Sequence, residues 1–302
     1  GNCSIDNNTA VADNMTVSFA ALADGTYSDC TITVTDGAGN TQTISVNTFT
    51  IDTVKPVLAQ IIAVTTPTND NTSSYTFSST EAGNITYGVC SGSPNNASAD
   101  NNTITFDALA DGAYSDCKIS VTDNASNTSD NLSVSSFTID TVKPVLAPVT
   151  AVTTPTNVTT PSYAFSSSEA GTISYVGCSP GGTSAINGTN SISFGTLSDA
   201  SYSCTITVTD SAGNASTALS VNTFIVDTTA PTVSSTSPTD NQSSVSVSDN
   251  ISVIFLESMT VDNVTTNTSD TTCSGSFQVS SDNFNSCVQM GSSPTVSSDN
   301  RT

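Results

Sequence analysis

The sequence has no histidine, no tryptophan, three glutamates and only four basic residues, Lys55, Lys118, Lys143 and Arg301, in 302 positions. Without histidine there is no imidazole for acid–base work and no His-containing zinc site. Four cations against 26 acidic residues give a net charge of −22. That balance leaves nothing to neutralise a phosphate backbone or an anionic lipid surface, so neither nucleic acid nor a membrane is an expected partner. No apolar run approaches the roughly 20 residues of a spanning helix. No charged stretch followed by an apolar one opens the chain at Gly1, so any targeting signal is expected outside these residues.

In place of charge there is hydroxyl and amide: 52 Ser, 52 Thr and 28 Asn. Their side chains compete with helical backbone hydrogen bonds and favour strands and turns. With 35% hydrophobic residues, cores can form beneath a neutral polar surface, and the expected class is all-β.

The eight cysteines contain no C-x-x-C. Cys3 and Cys30 are 27 residues apart, Cys90 and Cys117 also 27, and Cys178 and Cys204 26. One pair per repeat reads as three bridges, with Cys273 and Cys287 forming a fourth. Bridges imply an oxidising compartment, exterior or periplasmic.

FTIDTVKPV at 49–57 returns unchanged at 137–145 and more loosely as FIVDTTAPT at 224–232. A period of 88 and then 87 residues marks an array of small domains near the size of an immunoglobulin-type sandwich. The expected domains are 1–52, the C-terminal part of a repeat; 53–140 and 141–227, two complete repeats; and 228–302, a different and incomplete last unit. Aligning GNCS at Gly1 with GVCS at Gly88 places the start inside a strand, and Arg301 and Thr302 carry no closing strand. The chain is therefore expected to be a piece of a longer one.

Alternation predicts strands within repeat 53–140. Val57 to Val64 is the first. Tyr75 and Phe77 share a face in the second, Ile85, Tyr87 and Val89 in the third, and Ile104 and Phe106 in another. Cys117, Ile119 and Val121 point inward, as do Leu132 and Val134, and a bulge near Ser135 is expected to restore Phe137 and Ile139 to the core. Tyr27 and Tyr114 precede their cysteines by three residues where Tyr202 precedes Cys204 by two, so Asp29 and Asp116 are each expected in a bulge. Asp199, Tyr202 and Cys204 resemble a tyrosine corner; plain packing of a buried Tyr is the other reading. In the last unit Ile251 to Leu256 reads as a strand, and Cys273 and Cys287 flank an expected hairpin around Ser280.

Asp-Thr-x-x-Pro (Asp52 to Pro56, Asp140 to Pro144, Asp227 to Pro231), Glu-Ala-Gly (Glu81 to Gly83, Glu169 to Gly171) and V-T-D-x-A-x-N (Val34 to Asn40, Val121 to Asn127, Val208 to Asn214) resemble the tandem bacterial immunoglobulin-like domains of giant surface adhesins. SPTDNQSSVSVSDNISVIFLESM in the last unit is similar to the SbsA-type immunoglobulin-like domain of surface proteins. The resemblance implies tandem immunoglobulin-like β-sandwiches in an elongated rod, in an extracellular, cell-surface protein. Such domains serve as spacers, adhesive tips and wall components alike.

The only three glutamates, Glu81, Glu169 and Glu257, are spaced 88 and 88. In a sandwich of this topology the repeat junctions would gather Asp24, Asp52, Glu81 and Asp123, then Asp111, Asp140, Glu169 and Asp210, then Asp199, Asp227 and Glu257. Carboxylates so close repel unless a proton, water or cation compensates, and hard oxygens in loops suit Ca²⁺. The resemblance implies interdomain calcium as well. Exposed turn and capping residues are the alternative reading.

Catalysis is not expected, because every Cys has a partner and the Asp residues fall at turn positions. The primary expectation is a structural rod holding a distal element away from a cell, with neighbouring repeats as partners. The alternatives are a polymerising filament subunit joined by strand complementation, and a module binding a host receptor or glycan. For a glycan platform the seven Tyr alternate with apolar residues and read better as core. Eighteen Asn-x-Ser/Thr sequons allow glycosylation if the compartment supplies it.

Overall fold

The computed structural model describes residues 3, 10–11, 13–178, 181–246, 248–260, 264–298 and 300. Among them all regular structure is strand, and no helix is long and apolar enough to cross a membrane. Gly1, Ser4, Arg301 and Thr302, used above to judge the chain ends, lie outside the described residues. Two compact units emerge: Gly1–Val152 with Ser162–Gly195 and Ser203–Asn222, and Thr153–Pro161 with Thr196–Tyr202 and Thr223–Thr302.

Repeat 53–140, within the first unit, shows the sandwich in full. One sheet runs Leu58–Ile62, Ser74–Ser79, Asp100–Phe106, Gly92–Ser93; the other runs Leu132–Ser133, Lys118–Thr122, Gly83–Tyr87, Asn96–Ala97. The pairings are antiparallel, and the order is that of the two immunoglobulin sheets. Alternation drives it: Tyr75, Phe77, Ile104 and Phe106 of the first sheet meet Ile85, Ile119, Val121 and the Cys90–Cys117 bridge in one core. Fully burying each of these large apolar side chains contributes ~1.5–3 kcal/mol.

In repeat 141–227 the strands Leu146–Thr150, Ser162–Ser167 and Gly188–Ser193 form one sheet, and Ser184–Ala185, Gly171–Val176, Thr205–Thr209 and Leu219–Ser220 the other. Tyr163, Phe165, Ile173, Ile206 and Val208 are buried there as their counterparts are. In the second unit Ala200–Tyr202 pairs with Phe224–Val226, and Val233–Ser237 pairs with Ser252–Phe255.

The first repeat keeps two hairpins, Gly25–Tyr27 with Phe49–Ile51 and Thr31–Thr35 with Thr41–Ser45. Its face is more open. Val34 is 43% exposed where its counterparts Val121 and Val208 are 0%. Residues 13–19 align with strand 100–106 of the next repeat, and Phe19 stacks on Phe49 at 5.6 Å as Phe106 does on Phe137 at 5.8 Å.

Several expected details change. The first strand is Leu58–Ile62 rather than Val57 to Val64. Val89 is 75% exposed, because the strand ends at Tyr87 and a bend from Gly88 to Cys90 turns the cysteine inward instead. No bulge at Ser135 resets the parity: the chain leaves the 118–122 strand after Ser133 and pairs Phe137–Ile139 with Gly112–Tyr114. The same break absorbs Asp116, which lies in the coil between Gly112–Tyr114 and Lys118–Thr122, and Asp29 lies in the equivalent coil. A strand that changes partner is free to enter either register, so neither bulge is needed. Residues 273–287 contain no hairpin; turns and bends join Cys273 to Cys287.

The Cys pairs 3–30, 90–117, 178–204 and 273–287 are bridged, with Cα–Cα separations of 5.7, 5.2, 5.5 and 5.0 Å. Each tyrosine corner closes four residues upstream: Tyr27, Tyr114 and Tyr202 donate to the carbonyls of Ala23, Ala110 and Ser198 at 2.9, 2.8 and 2.9 Å.

Candidate functional site

The repeat places three motifs at one end of each complete sandwich. Ser79 is buried, and its hydroxyl donates to the Glu81 carbonyl at 2.6 Å. This turn holds Glu81 as the chain leaves one sheet for the other, and Ser167 does the same for Glu169. The Gly of Glu-Ala-Gly is then required by space. A Cβ on Gly83 would stand 2.3 Å from the Thr122 carbonyl oxygen, and one on Gly171 2.3 Å from that of Thr209. Only glycine lets these strands pass so close, which draws the glutamates toward Asp123 and Asp210.

In V-T-D-x-A-x-N the Asp folds its own loop. Asp123 Oδ1 accepts the amides of Ala125 and Asn127 at 2.8 and 2.9 Å, while Oδ2 accepts Asn127 Nδ2 at 2.9 Å. Asp210 does the same with Ala212 and Asn214. The linker Asp forms an Asx turn, Asp52 Oδ1 accepting Val54 N–H and Asp140 Oδ1 accepting Val142 N–H.

Two triads result. One carboxylate oxygen from each of Asp52, Glu81 and Asp123 lies within 4.8 Å of the others, as for Asp140, Glu169 and Asp210. Burial, then the charges of Asp52 and Asp123, push the Glu81 carboxyl above its usual range. Glu169 is raised by burial, then by Asp140 and Asp210. Burial would raise Asp123 too, but hydrogen bonds from Asn127, Ala125 and Ser126 outweigh it and hold this carboxyl low.

The other expected members lie elsewhere. Asp24, Asp111 and Asp199 are committed to the linker threonines: Asp24 Oδ1 accepts Thr53 N–H and Oγ1–H, Asp111 Oδ1 those of Thr141, and Asp199 Oδ1 those of Thr228. Asp227 accepts Thr229 N–H. Glu257 lines an open depression with Phe255, Met259 and Phe277, and among the described residues it joins no triad. The last unit has no V-T-D-x-A-x-N to complete one.

The donor chemistry of each triad fits a hard cation. Three carboxylates supply anionic oxygen, although a Ca²⁺ shell of six to eight would need water or carbonyl oxygens besides. Without a cation, a proton on the glutamate meets the same repulsion. Sequence reasoning missed Asn127 and Asn214, each of which also donates to the preceding linker, to the carbonyls of Asp52 and Asp140 at 3.0 and 2.7 Å. Their signal was present: this Asn closes all three copies of the motif.

None of the curated proteins searched matches this chain. Among solved structures it is similar to the fibronectin(III)-like modules of Clostridium thermocellum CbhA, at 14% identity and a TM-score of 0.33 over 57% of this chain and 94% of that one. Four bridges and an immunoglobulin-like sandwich fit a structural module of an extracellular or surface protein. Residues 227–297 match the family model of the bacterial Ig-like domain.

Proposed function

We propose that this chain is a non-enzymatic structural segment of an extracellular surface protein, a row of sandwiches that holds a distal element away from the cell. The observation that carries this reading is repetition. Repeats 53–140 and 141–227 agree in sheet order, in bridge and in acid triad. A feature remade at every period belongs to the array, whereas an active or binding site needs to be made once. In-frame deletion of residues 141–227 from the protein on its parent cell tests it. A terminal tag should approach the surface by roughly 30 Å, the size of one compact domain of that length; an unchanged height would end this reading.

Calcium at the two triads belongs to the same proposal, with Asp52, Glu81 and Asp123, and Asp140, Glu169 and Asp210, as ligands. Millimolar calcium should raise the melting temperature, and Glu81→Gln with Glu169→Gln should remove the effect; no effect on the unmutated protein would withdraw the metal.

A further inference from the structure

The Asp-Thr linkers are gripped from both sides. Upstream, Asp111 belongs to repeat 53–140 and its Oδ1 accepts both the N–H and the hydroxyl of Thr141 at 2.9 Å. Downstream, Asn214 belongs to repeat 141–227 and its Nδ2 donates to the Asp140 carbonyl at 2.7 Å. Beside this grip the backbone N–H of Asn69, in a turn of the earlier repeat, donates to the Ala212 carbonyl of the later one at 3.1 Å. The linker proline, Pro144, is buried. The junction before it repeats the scheme, with Asp24 on Thr53, Asn127 on the Asp52 carbonyl, and Pro56 buried.

We propose that each Asp-Thr linker is a two-sided clamp which fixes one sandwich to the next without any cation. The inference rests on the spacer reading for its purpose, not for its geometry. Two consecutive residues are held by opposite neighbours, so bending the joint breaks hydrogen bonds on one side or the other. The amide of Asn is the required group: one Nδ2 hydrogen goes to its own Asp and the other to the linker carbonyl. Aspartate there would offer no donor and would add a charge beside the triad.

Asn40 makes the same loop bond to Asp36 Oδ2 at 2.9 Å, so its substitution is a control for the loop bond alone. The chain also supplies one internal contrast. The linker after the third repeat has its upstream grip, Asp199 on Thr228 and Thr229. Among the described residues no side-chain amide reaches the Asp227 carbonyl, and Pro231 is exposed. That joint is half clamped.

The test uses the full chain in chelator, with noncanonical amino-acid labels at exposed Thr105 and Ser193 for distance distributions, since every cysteine is bridged. The unmutated protein should give one narrow distribution. Asn214→Ala combined with Asp111→Ala should widen it at least twofold, while Asn40→Ala leaves it unchanged. An unchanged width in the double variant overturns the clamp, as does a broad distribution in the unmutated protein that only calcium narrows. Limited proteolysis with proteinase K gives a second readout: the first cut should fall between 227 and 232, and a first cut at 140–144 would also overturn the proposal. None of these outcomes touches the spacer reading, which stands or falls on the height of the tag after deletion of 141–227.

Discussion

The hydroxyl of Tyr75 donates to the Gln60 carboxamide at 3.2 Å, whereas among the described residues the buried hydroxyl of its counterpart Tyr163 has no hydrogen-bond partner, because Pro148 stands 88 residues after Gln60. Gln60 also accepts Ser135 N–H at 3.1 Å and receives and gives a hydrogen bond at Ser135 Oγ. It thus ties the edge strand 58–62 to the point where the chain changes sheets. In the later repeat Asn222 makes the equivalent tie from the other side, bracketing Val152 N–H and C=O at 2.9 Å each.

The two tyrosines should therefore respond oppositely to loss of the hydroxyl. Tyr163→Phe removes an unsatisfied buried group and should stabilise its repeat by about 1 kcal/mol, while Tyr75→Phe should cost about 1 kcal/mol. Denaturant unfolding of the full chain, followed by hydrogen exchange in each repeat, reads both signs. Equal effects would refute the assignment.

The bridge from Cys90 to Cys117 closes a loop of 27 residues. On the chain-entropy account, replacing both cysteines by alanine should destabilise repeat 53–140 by ~3.5 kcal/mol, a large share of a small domain's stability. Selective early melting of that repeat is the expected result. Uniform melting of the chain would contradict it.

Stability should depend on pH through the triads. Glu81 and Glu169 are raised, so the folded state holds their protons more tightly than the unfolded state does. The stability they contribute is present below the ordinary glutamate range and is lost as pH rises through the raised values. Asp123 is lowered, so its contribution has the opposite sign and is lost as pH falls. In chelator, Glu81→Gln with Glu169→Gln should abolish the decline on the alkaline side and spare the acid limb. A decline that survives both substitutions would place its origin elsewhere.

Ser126 occupies the left-handed region at φ 76°, at the motif position where Gly39 and Gly213 stand at φ 92° and 96°. A side chain there costs roughly 1–2 kcal/mol, part of which glycine gives back as unfolded-chain entropy. Ser126→Gly should raise stability by up to about 1 kcal/mol, measured by chemical denaturation. A loss of stability would show that the Ser126 side chain offsets its strain.

By itself the sequence determined the all-β class, the period and the partner of every cysteine, and it placed Asp52, Glu81 and Asp123, and Asp140, Glu169 and Asp210, only within larger expected clusters. Each of these follows from spacing, and spacing survives in one dimension: alternation places Tyr75 and Phe77 on one face, and an 88-residue interval returns Glu81 as Glu169. Tertiary structure alone decided where the chain changes sheets. The parity shifts at Asp116 and Ser135 look like bulges in one dimension, but they are exchanges of strand partner, and partner choice depends on the opposite sheet. It also separated Asp24 and Asp111 from the triads, because a linker N–H and hydroxyl 29 or 30 residues away occupy their Oδ1. The second bond of Asn127 and Asn214 was likewise beyond the sequence, since its acceptor is a backbone carbonyl 74 or 75 residues earlier, a group that every residue carries and that no residue type marks.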